Sequence, residues 1–244
     1  MFRCDIMNRH YRLLSACFCF VCLGMLSDGP EAYTLVRVNN VNVYYDSSAA
    51  VLLYESGLMI DADGSPFAYH PVSDSGSDAL ANAGRKGNWW GIVTDSKGNP
   101  VLQHANDPAP GFYVSTTSLQ NKFYALIDPR RYVNSDSIPF FVLPSNKDIL
   151  RFAHLGDIAR VENKRNGKVS FAIFADVGPK DKIGEGSIYL ANQLNINANP
   201  RKGGIEDSIH YTIYIGSGDG LCKSKKQIDS IGVAFATNTN LRHR

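Results

Sequence analysis

Between Val169 and Asp176 apolar and mixed positions alternate. Val169, Phe171, Ile173 and Ala175 fall on one parity, Ser170, Ala172, Phe174 and Asp176 on the other, and this β-rich run predicts a strand that ends at Asp176. Gly178-Pro179 then forces a turn. The chain re-enters through Ile183-Gly184-Glu185-Gly186-Ser187, where the period changes. Ile188, Ala191 and Leu194 recur at helical spacing and Ser187 stands at the N-cap position, which predicts a helix starting there. Asp176 and Glu185 therefore face each other across one tight loop, at a strand end and a helix start. Glycines on both sides of Glu185 let its backbone approach another segment closely.

Similar runs recur along the chain. Thr34–Val38, Val41–Tyr45, Val51–Tyr54, Trp89–Thr94, Gly111–Thr116, Ile138–Pro144, Leu155–Val161 and His210–Ile215 read as strands. Ala79–Gly84 and Gln227–Phe235 read as helices, Asp95–Gly111 as a long ordered loop, and Thr237–Arg244 as a frayed, flexible tail. About eight to ten short strands with few helices predict a β-rich α+β fold. It is expected to be a single domain over residues 33–236, with a barrel-like or packed-sheet core and two or three helices.

The first 32 residues break the pattern. Arg3, Arg9, His10 and Arg12 precede an apolar run from Leu13 to Leu26, and a polar exit ends at Ala32. This reads as a secretory signal peptide, too short for a membrane span, with Met7 as an alternative start. Leu14-Ser15-Ala16-Cys17 offers a competing lipoprotein reading. Four of the five cysteines lie in this segment, so the exported chain keeps only Cys222 and must rely on its core rather than on disulfides. A secreted or periplasmic monomer is expected, touching the membrane only through the leader. Lys and Arg number 25 against 23 acidic residues, a net charge of +2 that the loss of residues 1–32 leaves unchanged. That balance gives no footprint for nucleic acid, and acidity toward a cationic substrate must be local to a cleft.

Two carboxylates on a rigid strand–loop–helix are what glycoside hydrolysis needs as acid and base. The competing reading is structural: an Asp before a turn and a Glu complementing a helix dipole. Asp61-Ala62-Asp63-Gly64 suggests a calcium loop, but the twelfth position from Asp61 is Val72 rather than a Glu, so a tight turn is the simpler reading. Adjacent strand residues point to opposite faces, so one of Trp89 and Trp90 should enter the core while the other is exposed or loop-covered, where it can stack on a sugar. Thr116, Thr117 and Ser118 offer hydroxyls. Asp157 is a third acidic candidate or a turn former, and Cys222 a reactive or a passive thiol. The sequence carries no zinc cluster, phosphate-binding loop, nucleophile elbow or internal repeat.

The string AIFADVGP followed by KIGEGSIYLA resembles the signature of glycoside hydrolase family 75 chitosanases. Two upstream stretches, Gly57–Gly64 running on to Ala68-Tyr69-His70-Pro71 and Pro108–Leu119, are similar to the bacterial branch of that family, and the likeness spans about residues 38–236. It implies an inverting endo-chitosanase that takes partly deacetylated chitosan, with Glu185 as general acid and Asp176 as general base. Glu185 would hold its proton through an apolar surround such as Ile183 and Ile188. Asp61 and Asp63 would line the sugar cleft, and Tyr69, His70, Trp90 and Thr117 complete the expected substrate-binding set. Arg130 and Arg131 should stay outside a cleft for a polycation. Fungal-type disulfides and longer insertions are missing, which puts substrate preference in question. A related aminoglycan such as peptidoglycan, or a non-catalytic carbohydrate-binding or envelope protein on the same fold, are the alternatives.

Overall fold

Alternation along a strand becomes a barrel here because both parities find apolar partners. The computed structural model describes residues 32–242, so the leader expected at residues 1–32, with Cys17, lies outside the described residues except for Ala32. The strands are β1 (Tyr33–Val38), β2 (Val41–Asp46), β3 (Val51–Asp61), β4 (Gly84–Arg85), β5 (Asn88–Trp89), β6 (Phe140–Pro144), β7 (Ile158–Asn163), β8 (Lys168–Gly178), β9 (Glu185–Ser187) and β10 (Ile205–Tyr214). The helices are α1 (Lys147–Leu150), α2 (Ile188–Gln193) and α3 (Lys225–Arg242). Among the described residues no helix is long and apolar enough to cross a membrane.

Six strands close on themselves in the order β3-β10-β7-β8-β6-β9, and β9 returns to β3. The β8–β6 and β9–β3 pairings are parallel, the other four antiparallel. The β1–β2 hairpin extends the first half of β3, where Tyr44 faces Leu53, while the second half of β3 pairs with β9. The expected α+β domain is thus a closed barrel with three helices.

One face of the barrel strands gathers Leu52, Tyr54, Leu58, Phe141, Phe174 and Tyr211 into the largest cluster, with Tyr54 and Tyr211 stacked at 4.4 Å. The opposite face of β6, β7 and β8 supplies Phe140, Val142, Ile158, Ile173 and Ala175, which Ile228 of α3 covers. Burying both faces explains why β6, Phe140–Pro144, is a continuous apolar run.

The region from Ala62 to Pro139 departs from the expected strands. Trp89–Thr94 and Gly111–Thr116 are not ladders: β5 ends at Trp89, and the rest makes single bridges, Ile92 with Ser115, Thr94 with Pro100 and Leu102 with Tyr113. Side chains replace ladder bonds there, as where Gln103 Nε2 donates to the Pro66 carbonyl at 2.7 Å. Small clusters, Ala62, Tyr69, Ala83 and Ile92 in one and Val93, Val114 and Tyr132 in another, hold the region on the barrel.

The C-terminal helix runs past the expected Phe235 to Arg242, which removes most of the expected tail. A reciprocal cap starts it, with Gln227 Oε1 accepting from Ser224 N at 2.9 Å and Gln227 N donating to Ser224 Oγ at 3.4 Å. Phe235 and Ala236 pack against Val51 and Tyr214, so the last turns have something to hold. Cys222 is half-buried beside a cavity of about 280 Å³, and burial pushes its thiol up, the behaviour of a passive cysteine. Asp157 is a turn former: its carboxylate accepts from His154 N and Gly218 N, each at 2.9 Å.

Candidate active site

β3 ends on Asp61, and the chain turns through Ala62-Asp63-Gly64. Asp63 N donates to Asp61 Oδ1 at 2.8 Å, closing the turn on its own carboxylate. Gly64 lies at φ +77°, and a Cβ there would sit 2.0 Å from the Val133 carbonyl oxygen, so only glycine fits. β8 brings Asp176 alongside. Its Oδ1 accepts from Ser118 Oγ at 2.5 Å, Ser118 N at 3.0 Å and Val177 N at 2.8 Å. Carboxylate oxygens of Asp61, Asp63 and Asp176 all lie within 4.8 Å of one another.

Glu185 arrives differently from the sequence expectation. It is the first residue of β9, not a helix start: it pairs with Met59 of β3 and with Val142 of β6. The helix begins three positions later, with Ser187 Oγ capping it by accepting from Leu190 N at 3.0 Å. The flanking glycines make the insertion possible. Gly184 has φ +89°, and a Cβ there would meet Ser56 Oγ at 2.5 Å. A Cβ on Gly178 would come within 2.9 Å of Glu185 Oε2, so the end of β8 is bare where that carboxylate lies. Ile183 and Ile188, expected as its apolar surround, join two hydrophobic clusters. What touches the carboxylate is Lys182, whose ammonium donates to Oε1 at 3.1 Å.

Like charges at short range govern the electrostatics. Burial first, then the charge of Asp176, pushes the Asp61 carboxyl well above the usual range. Burial and then Asp61 do the same to Asp63, against the opposing hydrogen bond from the Tyr69 hydroxyl at 2.7 Å. Asp176 is raised too, by burial, although Ser118 and Val177 favour its ionised form. Carboxyl groups this close titrate as interacting sites rather than singly. One oxygen of each, Oδ1, is turned to a protein donor (Asp63 N, the Tyr69 hydroxyl and Ser118), and the spacing of the three would also suit a cation.

Asp61, Asp63, Asp176 and Glu185 open on one cleft of about 950 Å³. Trp90 flanks it with 60% of its surface exposed, its ring held by Nε1 donating to the Asn82 carbonyl at 2.8 Å, while Trp89 packs inward on the Tyr69 cluster. Tyr69 also lines the cleft. Thr117 does so, but its hydroxyl is spent: Oγ1 donates to the Leu119 carbonyl at 2.8 Å and accepts from Val133 N at 3.0 Å. His70 is not brought in. Its ring lies edge-on to Phe112 at 4.8 Å and Nδ1 accepts from Val72 N at 3.0 Å, so it shapes a loop away from the carboxylates.

No family model matches the chain, and no curated protein does. The cleft also holds residues the sequence did not single out. Ser118 was visible only as one hydroxyl among three. Asp78 and Lys182 carried no periodic signal, although Lys182 sits on the loop that delivers Glu185. Arg201 reaches the cleft wall and donates to the carbonyls of Ser73 at 2.5 Å, Gly76 at 3.1 Å and Asp78 at 2.8 Å, so its charge is engaged in holding a loop. Arg130 pairs with Asp128 at 2.6 Å and Arg131 Nη1 donates to the Tyr124 carbonyl at 2.6 Å, and neither lines the cleft.

Proposed function

We propose that this protein is an inverting endo-acting glycoside hydrolase whose substrate is partly deacetylated chitosan. The observation that carries the reading is the convergence of Asp176 from β8 and Glu185 from β9 on one cleft that also holds Asp61 and Asp63. Asp176 takes a proton from water as its oxygen attacks the anomeric carbon. Glu185 gives its proton to the glycosidic oxygen as the carbon–oxygen bond breaks. Lys182 is half exposed on its loop and must withdraw from Oε1 before Glu185 can serve as the acid. Asp61 and Asp63 meet the ammonium groups of the sugar, and the exposed Trp90 ring supports a sugar face. Secretion or a periplasmic location, and action as a monomer without cofactor, belong to the same proposal.

A panel of soluble chitosan, chitin and peptidoglycan tests the substrate. Reducing ends should appear from chitosan first, with internal cleavage seen as a fast fall in viscosity. Release from peptidoglycan alone would move the protein to a related aminoglycan, and release from none would leave the fold as a carbohydrate-binding or envelope protein.

A further inference from the structure

We propose that Ser118 is the positioning residue of the catalytic base, fixing which oxygen of Asp176 faces the cleft; this rests on the glycosidase reading above. Three donors converge on one oxygen. Ser118 N, Ser118 Oγ and Val177 N all reach Asp176 Oδ1, at 3.0, 2.5 and 2.8 Å. Val177 N also donates to Ser118 Oγ at 3.2 Å, which joins hydroxyl, amide and carboxylate in one small ring. Among the described residues no hydrogen bond goes to Oδ2. That oxygen is left to accept from a water.

Ser118 cannot simply follow a rotating carboxylate. It lies 58 positions from Asp176 in the chain, and the residues on either side are pinned. Leu119 N donates to the Ala175 carbonyl at 2.8 Å, so the segment runs along the end of β8. Thr117 Oγ1 takes Val133 N at 3.0 Å and gives its proton to the Leu119 carbonyl. The otherwise unexplained burial of the Thr117 hydroxyl therefore has a purpose: it stiffens the backbone that carries Ser118.

The charged groups facing Asp176 are Asp61 and Asp63 at the end of β3 and Glu185 of β9, with Lys182 paired to Glu185. Burial first, and then the charge of Glu185, oppose its ionisation. Ser118 is one of the two residues working the other way. Removing its hydroxyl removes a charge-assisted donor while leaving its amide, and the carboxyl should become harder to ionise and freer to turn.

Two readouts test this, one independent of activity. Carboxyl carbon NMR of the substrate-free protein should show the Asp176 titration moving to higher pH in Ser118→Ala and returning to wild type in Ser118→Thr, which keeps the hydroxyl at an exposed position with room for a methyl. On chitosan, Ser118→Ala should lose about tenfold or more in kcat with little change in KM, and the acidic limb of kcat/KM should move up in pH, as expected for the loss of a hydrogen bond to a charged group. An unmoved Asp176 titration in folded Ser118→Ala would overturn the proposal. So would a lower kcat in Ser118→Thr equal to that of Ser118→Ala. A moved titration in a protein that cleaves no glycan would uphold the clamp on Asp176 and reject the glycosidase reading instead.

Discussion

Asp176→Asn and Glu185→Gln should each lower kcat on chitosan by at least about a hundredfold, the lower end of what a general acid or base contributes. The substitutions are near-isosteric and the local bonds tolerate them. Asn retains an oxygen for Ser118 Oγ, Ser118 N and Val177 N, and Gln retains one for Lys182. Both variants should therefore fold, with melting temperatures close to wild type, and both should still bind chitosan. Asp176→Asn removes the oxygen that takes the proton of water. Glu185→Gln removes the proton given to the leaving oxygen, so its defect should shrink on substrates whose leaving group needs no protonation, such as aryl glycosides with acidic phenols. Near wild-type turnover in both variants would return the two carboxylates to structural roles.

Asp61→Asn and Asp63→Asn should raise stability. Each carboxyl titrates above its unfolded value because burial and neighbouring carboxylates penalise the charge. The sign follows: what these groups contribute to stability is fully present below the unfolded carboxylate pKa, and it is lost as pH rises through the raised folded values. At pH 7 the raised folded values burden the folded state relative to the unfolded chain, whose carboxyls ionise freely. Neutral Asn relieves that burden while Oδ1 still accepts from Asp63 N in one case and from the Tyr69 hydroxyl in the other. Each variant should melt about 2–4 °C higher at pH 7, the shift that roughly 1 kcal/mol produces in a chain of this size. The gain should fade as the pH is lowered to where the wild-type carboxyls hold their protons. KM for chitosan should rise in both, because the charge facing the sugar ammonium is gone. A lower melting temperature at pH 7 for Asp63→Asn would show instead that the ionised carboxylate anchors the turn through Tyr69.

How much of this was legible in the sequence depends on whether a feature is local. The β8 strand, the Ser187 cap and the three N-terminal strands followed from periodicity and turn chemistry, which act over a few residues. The place of Glu185 did not. β9 has three residues and no period of its own; it is a strand only because Met59 and Val142 lie on either side of it. Barrel closure is likewise a long-range pairing that no short window contains. His70 looked like a cleft residue by its position after Tyr69, yet the ring follows Phe112. Lys182 was one charge among several in a polar loop until the turn laid it on Glu185. The extra length of α3 depended on Val51 and Tyr214, from strands far earlier in the chain, giving Phe235 and Ala236 a surface.

In the proposed mechanism water attacks the side of the sugar opposite the leaving group, with Asp176 and Glu185 on the two faces. Proton NMR of chitosan oligomers, followed from the first seconds after enzyme is added and before mutarotation, reads the outcome directly. The new reducing ends should appear as the α anomer and drift to the equilibrium mixture, as two carboxyl groups roughly 6.5–9.5 Å apart with a water between them require. New reducing ends that appear first as the β anomer would contradict it, since they would mean a covalent intermediate and a double displacement.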